Sequence, residues 1–166
     1  GIGYIRYPTE PALRSLAAGA GFGKSFVICG EKPFTSERKM MTVCAEVAGD
    51  KSVFSKGAPD VLVRLCDRIY TEGGVRPMTE GDRAQISACN DAMSDGALRV
   101  LAFAYKGGGD LTENGFIFLG LAGMIDALKE GVPAAVEECR QAGHTTVMIT
   151  GEHARTALAI AKKAGI

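Results

Sequence analysis

The chain has 166 residues, with 19 basic and 19 acidic side chains and therefore no net charge when its two histidines are neutral. No bulk charge draws it to nucleic acid or to an anionic membrane, so any anion site must be local. The length is enough for one domain, or for one domain and part of another, and the longest apolar run, 116–125, is the length of a strand rather than of a membrane span. These properties predict a soluble globular chain.

Five cysteines are spread along the chain without a Cys-x-x-Cys pair, and only two histidines accompany them. An odd number of widely spaced cysteines favours reduced, mostly buried thiols over a disulfide framework. The scarcity of histidine near them argues against a structural zinc site.

The first predicted element is a short helix, which Thr9 can cap and which Gly19 and Gly21 end. Glu10 lies in its first turn, where a carboxylate complements the helix dipole. Residues 18–25, Ala-Gly-Ala-Gly-Phe-Gly-Lys-Ser, match a relaxed phosphate-loop pattern. A working phosphate loop follows a strand and opens a helix, whereas here a helix precedes it and a β-prone run follows, so we interpret the match as coincidental.

A β-hairpin is predicted next. An alternating run reaches Val47, and the Gly-Asp pair at 49–50 is typical of a tight turn into a strand that ends at Lys56. Phe34 and Lys39 precede this hairpin, so both lysines are expected at the same end of a sheet. An aromatic ring with two lysines suits base stacking and phosphate binding, although a core phenylalanine and two surface lysines are the commoner arrangement.

Residues 56–60, Lys-Gly-Ala-Pro-Asp, join a strand end, a turn glycine and a proline that opens a helix predicted to continue to Ile69. A lysine at such a junction can reach an anion or can simply be solvated. Thr79 and Asp82 form a predicted capping box for a helix ending near Gly96. In the strand predicted at 98–105, Arg99, Leu101 and Phe103 share a face, and the arginine calls for an anionic ligand or a structural carboxylate.

After a loop between glycines at 107–109 and Gly115, the pattern changes to α/β organisation. It predicts a strand at 116–125 closed by Asp126, a helix at about 132–141, a buried strand at 145–149, and a helix that ends at Gly165. The predicted fold is therefore α+β, an antiparallel sheet with flanking helices, followed by a partial α/β segment. We place the two domains at residues 1–120 and 121–166.

Five segments together resemble the cytoplasmic region of P-type ATPases, most closely the type II pumps related to calcium-transporting ATPases. The resemblance covers nearly the whole chain and follows the family's order. Its motifs are Pro-Thr-Glu at 8–10, Pro-Phe-Thr-Ser-Glu-Arg-Lys-Met-Met at 33–41, Lys-Gly-Ala-Pro-Asp at 56–60, Leu-Arg-Val-Leu-Ala at 98–102, and Val-Met-Ile-Thr-Gly-Glu-His at 147–153.

The resemblance implies a nucleotide-binding domain in which Phe34 stacks on adenine and Glu10 contacts the adenine end. The other implied nucleotide-binding residues line the pocket or close it nearer the phosphates: Lys39, Lys56, Gly57, Arg99 and Leu101. In a following phosphorylation-domain segment, similar to haloacid dehalogenases, Thr150 and Gly151 would grip the transferred phosphoryl group. Asp126 matches the family's hinge aspartate.

The chain also departs from the family pattern. The Asp-Lys-Thr-Gly-Thr segment with the phosphorylated aspartate and the magnesium-binding Gly-Asp-Gly segment are both absent. Glu152 replaces the usual aspartate after Thr-Gly, and Asp-Ala-Leu-Lys at 126–129 replaces Asp-Pro-Pro-Arg. Without the nucleophilic carboxylate no aspartyl phosphate can form, so the chain is expected to bind ATP without turning it over.

The resemblance thus implies the cytoplasmic part of an integral membrane cation pump, with ATP as ligand, Mg²⁺ in the parent enzyme, and the pump's other domains as partners. It implies neither nucleic-acid binding nor direct membrane contact by this chain. Two alternatives stay open. One is a regulatory module whose ATP pocket has decayed. The other is a soluble phosphatase of the haloacid dehalogenase type, which would need an Asp-x-Asp motif that the sequence lacks.

Overall fold

A computed structural model describes residues 13, 26–47, 49–125, 128–151 and 154–166 of the chain. The predicted N-terminal helix, the loop at 18–25, Glu10, Asp126 and Glu152 lie outside the described residues, apart from Leu13 and its helical backbone. No helix of the described ranges is long and apolar enough to cross a membrane.

One seven-stranded sheet dominates the described part of the chain, with spatial order β1-β2-β3-β6-β7-β4-β5. Every neighbouring pair is antiparallel except β4 and β7, which run parallel. The strands are β1 Val27–Lys32, β2 Met40–Val47, β3 Asp50–Gly57, β4 Cys66–Thr71, β5 Gly74–Pro77, β6 Leu98–Gly107 and β7 Phe116–Ile125. The helices are α1 Pro59–Leu62, α2 Glu80–Asp95, α3 Val132–Gln141 and α4 Ala154–Ala164. The mixed α+β architecture is as predicted.

The predicted hairpin is confirmed as β2 and β3, which pair along their full length from Val47 opposite Asp50 to Met40 opposite Gly57. Gly49 turns the chain with a φ of 90°, a conformation that favours glycine. The hydrophobic core lies on one face of this part of the sheet, between the strands and the helices that cover them. Its buried residues come from the central strands and from the two helices that cover them: Met40, Cys44, Val53, Ala102, Ala104 and Phe118, with Leu62 and Ile86.

The helix predicted to run from Pro59 to Ile69 is shorter than expected. It ends at Leu62, continues as a 3-10 turn at Val63–Leu65, and gives way to β4 at Cys66. Arg83 of α2 donates hydrogen bonds to the carbonyl oxygens of Val63 at 2.6 Å and Cys66 at 2.8 Å, which satisfies acceptors where the helix ends. The β-prone residues that follow then pair with two neighbouring strands.

The capping box predicted for α2 is confirmed. The Asp82 amide donates to Thr79 Oγ1 at 3.2 Å, and the Thr79 amide donates to Asp82 Oδ2 at 2.8 Å. Arg76 makes two further hydrogen bonds to the same carboxylate, both 2.7 Å long. These bonds, with those of Thr79, hold the pKa of Asp82 well below its usual range.

The C-terminal region differs from its prediction in one element. Helices α3 and α4 form as predicted, but residues 145–149 form no strand, and Val147 and Ile149 are 75% and 94% exposed. A strand needs a neighbour for its backbone groups, and none pairs with this run among the described residues. The α/β segment therefore stays a prediction.

Helix α4 lies against the start of β6 and the end of α2. Arg155 forms an ion pair with Asp95 at 3.1 Å, and Thr156 Oγ1 donates to the Leu98 carbonyl oxygen at 3.3 Å. Strand β7 pairs with β6 as far as Ile125, so the sheet extends beyond the domain boundary placed between residues 120 and 121. The division into two domains stays a prediction.

All five cysteines are free thiols, as predicted, but only Cys44 and Cys66 are buried. The prediction that most would be buried is therefore wrong, because Cys29, Cys89 and Cys139 lie on an edge strand or on exposed helix faces. Burial raises the pKa of Cys66 to about 12 and also raises that of Cys44. Neither buried thiol has the thiolate character that nucleophilic chemistry needs.

Candidate functional site at the end of the central strands

The candidate site lies on the face of the sheet opposite the core, where β3 ends beside β2 and β6. Lys56 is opposite Met41 on one side and Phe103 on the other. Its neighbours in sequence, Ser55 and Gly57, are buried on the core side, so period two directs the half-buried Lys56 to the opposite face. This end of the sheet therefore presents a cation beside an aromatic ring.

Gly57 brings the two predicted lysines together. A Cβ added to Gly57 would lie 2.5 Å from the Met40 Cβ and 2.7 Å from the Lys39 carbonyl oxygen, closer than atoms can pack. The same carbonyl oxygen accepts a hydrogen bond from the Ala58 amide at 2.9 Å. Lys39 itself has a φ of 52°, in the left-handed region. The close approach of these two backbones requires glycine at position 57, and it places Lys39 at the same sheet end as Lys56.

Strand β6 supplies the rest of this face. Arg99, Leu101 and Phe103 occupy every second position of β6, so they lie on the same face, opposite to that of the core-facing Ala102. Arg99 and Leu101 are both half-buried. On the neighbouring strand β7, Gly120 is opposite Phe103 and Ala122 is opposite Leu101. A Cβ added to Gly120 would meet no heavy atom within 4 Å, so the space above that glycine is open. Small residues beside a half-buried aromatic leave room for a planar group.

Aromatic rings continue this face toward the other end of the strands. Phe54 and Tyr105, which are opposite each other on β3 and β6, stack with ring centroids 6.5 Å apart and planes 23° from parallel. Phe54 is 42% exposed, although it lies in the middle of a central strand. This face therefore carries partly exposed aromatic rings together with the charged side chains of Lys56 and Arg99.

Phe34 lies on the loop that precedes β2, and its side chain is 39% exposed. Two bonds close this loop. The Lys39 amide donates to the Thr35 carbonyl oxygen at 2.8 Å, and Arg38 Nη1 donates to the Pro33 carbonyl oxygen, also at 2.8 Å. The residues on both sides of Phe34 are thus tied to the segment that enters the site at Lys39.

Behind this loop the structure shows a polar cluster that sequence reasoning missed, formed by Arg38, Thr42, Ser55 and Glu113. Thr42 and Ser55 are opposite each other on β2 and β3 and are buried, with 0% and 3% exposure. Glu113 accepts from both Arg38 and Thr42 Oγ1. Hydroxyl residues facing each other within an apolar hairpin are a signal for such a cluster, but the arrival of Glu113 from a distant loop is not visible in the sequence.

Two further predicted site residues, Thr150 and Gly151, lie in the C-terminal region rather than on this face of the sheet. Thr150 and Gly151 are exposed and lie shortly before α4. Glu10 and Asp126 lie outside the described residues, so their predicted roles stay predictions. The described ranges contain no group of three or more His, Cys, Asp or Glu side chains that could hold a metal ion.

Comparison with known proteins decides the family. Residues 4–131, most of the chain, match the family model described as P-type ATPase, cytoplasmic domain N. The chain belongs to this family. The match extends past residue 120 and so includes the whole of β7, in agreement with the sheet.

The relatives of this chain are similar to it along almost its whole length. The chain is 44% identical to calcium-transporting ATPase 1 of Lactococcus lactis subsp. lactis, and the match covers 96% of the chain and 20% of that protein. It is 42% identical to a calcium-transporting ATPase of Bacillus subtilis, over 93% of the chain and 19% of that protein. It is 38% identical to the cation-transporting ATPase pma1 of Synechocystis sp., over 96% and 19% respectively. The chain spans about a fifth of the length of these relatives.

Proposed function

We propose that this chain is the ATP-binding cytoplasmic portion of a cation-transporting P-type ATPase of the calcium type. It would present ATP to a phosphorylatable aspartate that is not among these 166 residues. The observation that carries the proposal is the meeting of Lys56, Gly57 and Lys39 at one end of the sheet, beside Phe103 and the open space over Gly120. The names of the relatives support the choice of cation transport and of calcium.

The adenine end of the proposed site is the Phe34 loop. A half-exposed aromatic side chain on a closed loop can stack on a base at low entropic cost, because the loop is already ordered. We assign Lys39 and Lys56 to the polar groups of the nucleotide, since both approach from the same sheet end and an ammonium is a point charge that suits phosphate oxygens. Glu10 is assigned to the adenine end by resemblance to the family.

The phosphate end of the proposed site is Arg99 with Leu101. They lie about 7 to 13 Å along β6 from Phe103, the residue opposite Lys56, at the usual rise of about 3.3 Å per residue, so one nucleoside triphosphate is long enough to reach both positions. Arg99 would orient the phosphates, and Leu101 would exclude water beside them. Thr150 and Gly151 would bind the transferred phosphoryl group during transfer, and Asp126 would act at the hinge.

The chain would not complete the reaction alone. Phosphoryl transfer from ATP needs an acceptor, and the family's Asp-Lys-Thr-Gly-Thr segment is absent from the sequence. The described residues offer no acidic cluster for Mg²⁺, which in the parent enzyme would be held by the phosphates of ATP and by residues outside this chain. In the parent pump the neighbouring domains would be the partners and the location would be the cytoplasmic side of the membrane.

An ATP titration of the 166-residue chain, followed by NMR amide shifts, tests this proposal. Lys56→Ala is expected to raise the dissociation constant for ATP about tenfold or more, the equivalent of about 1.4 kcal/mol. Phe34→Ala should weaken binding by about 1 to 3 kcal/mol, the usual worth of base stacking on an aromatic ring. Lys51→Ala is the matched control, because Lys51 is an exposed lysine at the opposite end of β3.

Saturable shifts at Phe34, Lys39, Lys56 and Arg99 that weaken in both site variants and persist in the control would support the proposal. A folded wild-type chain that shows no saturable shift up to millimolar ATP would refute it. That result would favour the alternative of a P-type ATPase scaffold whose nucleotide pocket has decayed.

A further inference from the structure

We propose that Glu113, in the loop between β6 and β7, is a positioning residue for the adenine end of the site. It acts through Arg38 on the loop that carries Phe34. This inference rests on the proposed function, because it assigns a task to a loop that the proposed function uses for base stacking.

Arg38 connects the two loops with a single guanidinium group. Its Nη2 pairs with Glu113 Oε1, and its Nη1 donates to the carbonyl oxygen of Pro33 at 2.8 Å. Pro33 directly precedes Phe34. Because the guanidinium is planar and rigid, fixing one nitrogen on Glu113 fixes the direction in which the other reaches Pro33. The backbone before Phe34 is therefore held at a set distance from the β6–β7 loop.

Thr42 of β2 fixes the Glu113 carboxylate by a hydrogen bond. The Thr42 hydroxyl is fully buried and donates to Glu113 Oε1 at 2.8 Å, while Ser55 lies 3.1 Å from Thr42 and 2.9 Å from the Met41 carbonyl oxygen. The two hydroxyls have one hydrogen each for three contacts. The charged carboxylate is the strongest acceptor, so the Thr42 hydrogen goes to Glu113, and Ser55 donates to Thr42 or to Met41.

The loop that carries Glu113 is itself anchored, so that it can act as a support. Lys106 Nζ donates to the carbonyl oxygen of Thr112 at 2.6 Å and to that of Asn114 at 3.3 Å, the residues on either side of Glu113. Leu111 packs against the hydrophobic core. Because Lys106 of β6 holds the residues on both sides of Glu113, the position of the Glu113 carboxylate is fixed relative to the sheet.

The consequence is that the Phe34 loop is ordered before the nucleotide arrives. Apparent affinity falls in proportion to the fraction of molecules in the binding-competent conformation. Loss of the carboxylate would release Arg38 from one of its two anchors and would remove the charged acceptor of the buried Thr42 hydroxyl. The competent fraction would then fall, and with it the affinity for ligands that use Phe34.

The test compares ATP with inorganic tripolyphosphate, which carries the phosphates but no base, on the 166-residue chain. Glu113→Ala is expected to raise the dissociation constant for ATP about fivefold or more by lowering the competent fraction. It should raise the dissociation constant for tripolyphosphate by about twofold at most, because this ligand loses only the contribution of Lys39 and keeps that of Lys56, whereas ATP also loses base stacking on Phe34. Asp110→Ala is the matched control, because Asp110 lies in the same loop and its exposed carboxylate accepts hydrogen bonds from the amide and the hydroxyl of Thr112.

Two further measurements show whether Glu113 acts through the loop. In the absence of nucleotide, the Lys39 amide, which closes the loop on Thr35, should exchange its hydrogen faster in Glu113→Ala than in the wild type. In a double-mutant cycle, Phe34→Ala and Glu113→Ala should be non-additive, because the second change has little left to disturb once the ring is gone. If Glu113→Ala does not fold, Glu113→Gln carries the same test, since its amide keeps an acceptor for Thr42 but no charge for Arg38.

The outcomes separate this inference from the function it rests on. Three results would overturn the role of Glu113: equal weakening of ATP binding and tripolyphosphate binding, additive effects in the cycle, or unchanged hydrogen exchange at Lys39. None of them would contradict the proposal that the wild-type chain binds ATP. Absence of ATP binding by the wild-type chain would overturn the proposed function, and this inference with it.

Discussion

The sheet region, residues 26–125, and the C-terminal region, residues 128–166, both contain runs of apolar side chains, but the two regions bury these side chains to different degrees. Leu62, Val53 and Phe116 in the sheet region have 0% exposure. In the C-terminal region the buried residues among those described are Thr156 and Ala164, while Ile149 is 94% exposed. The difference shows that apolar composition sets which segments are able to become core, and that neighbours decide which of them do.

The edge of the sheet repeats this contrast within one region. Strand β1 contains a β-prone apolar run, and yet Val27 and Ile28 are 66% and 55% exposed; among the described residues β1 lies at the edge of the sheet and pairs with β2 alone. The run at 145–149 has no paired strand among the described residues and forms no strand. In the described part of the chain, the apolar runs at the edge of the sheet and at 145–149 are therefore less buried than the core-facing residues of the central strands.

The largest expected effect compares one substitution in the two regions. Leu62→Ala removes a fully buried side chain and should lower the free energy of unfolding by about 2 to 5 kcal/mol. Leu158→Ala, in α4, removes a side chain that is 58% exposed and should cost less than about 1 kcal/mol. Urea denaturation of both variants gives the two values. Equal losses would mean that α4 contributes to a core as well packed as that of the sheet.

A smaller effect is expected from adding a methyl group at a glycine in each region. Gly57→Ala forces a Cβ to within 2.5 Å of Met40 and should destabilise the chain by about 1 to 3 kcal/mol while disturbing Lys39 and Lys56. Gly151→Ala meets no atom within 4 Å and should be close to neutral for stability. Thermal melting and ATP titration of both variants test this. Unchanged melting and binding in Gly57→Ala would contradict the close approach of β2 and β3.

The smallest effect concerns acid stability. The folded pKa of Asp82 lies below its unfolded value, so the unfolded state binds more protons as the pH falls below about 4, and the contribution of Asp82 to stability is lost there. Asp82→Asn should therefore lower stability at pH 7 and flatten its decline in acid. Denaturation curves at about pH 7 and about pH 3 measure both effects.

Glu137 in α3 is the matching carboxylate of the C-terminal region. Its pKa is lowered by hydrogen bonds from Arg140 and then Gln141, but both partners of the Glu137–Arg140 pair are well exposed. Glu137→Gln should change acid stability in the same direction and by less, because an exposed pair contributes little. A larger effect for Glu137→Gln than for Asp82→Asn would reverse the ranking of the two regions.

Local signals were read correctly where one residue type is needed for a backbone reason. Thr79 and Asp82 predicted the start of α2, and the turn at Gly49 predicted the hairpin, because capping and left-handed φ depend on a few adjacent residues. Period two placed Arg99 and Leu101 on the same face as Phe103. The end of the helix after Pro59 was missed, because Arg83, far along the chain, supplies the hydrogen bonds that let the helix stop at Leu62.

The sequence by itself determined the elements around the candidate site, the phase of their side chains and the resemblance to P-type ATPases, which the family match confirms for the N domain. These depend on residues close together in the chain. Only the tertiary structure decided that Glu113 meets Arg38, that β7 joins the same sheet as β6 and β4, and that the run at 145–149 stays exposed. Those outcomes depend on which distant segments become neighbours, and no local pattern of polarity encodes that choice.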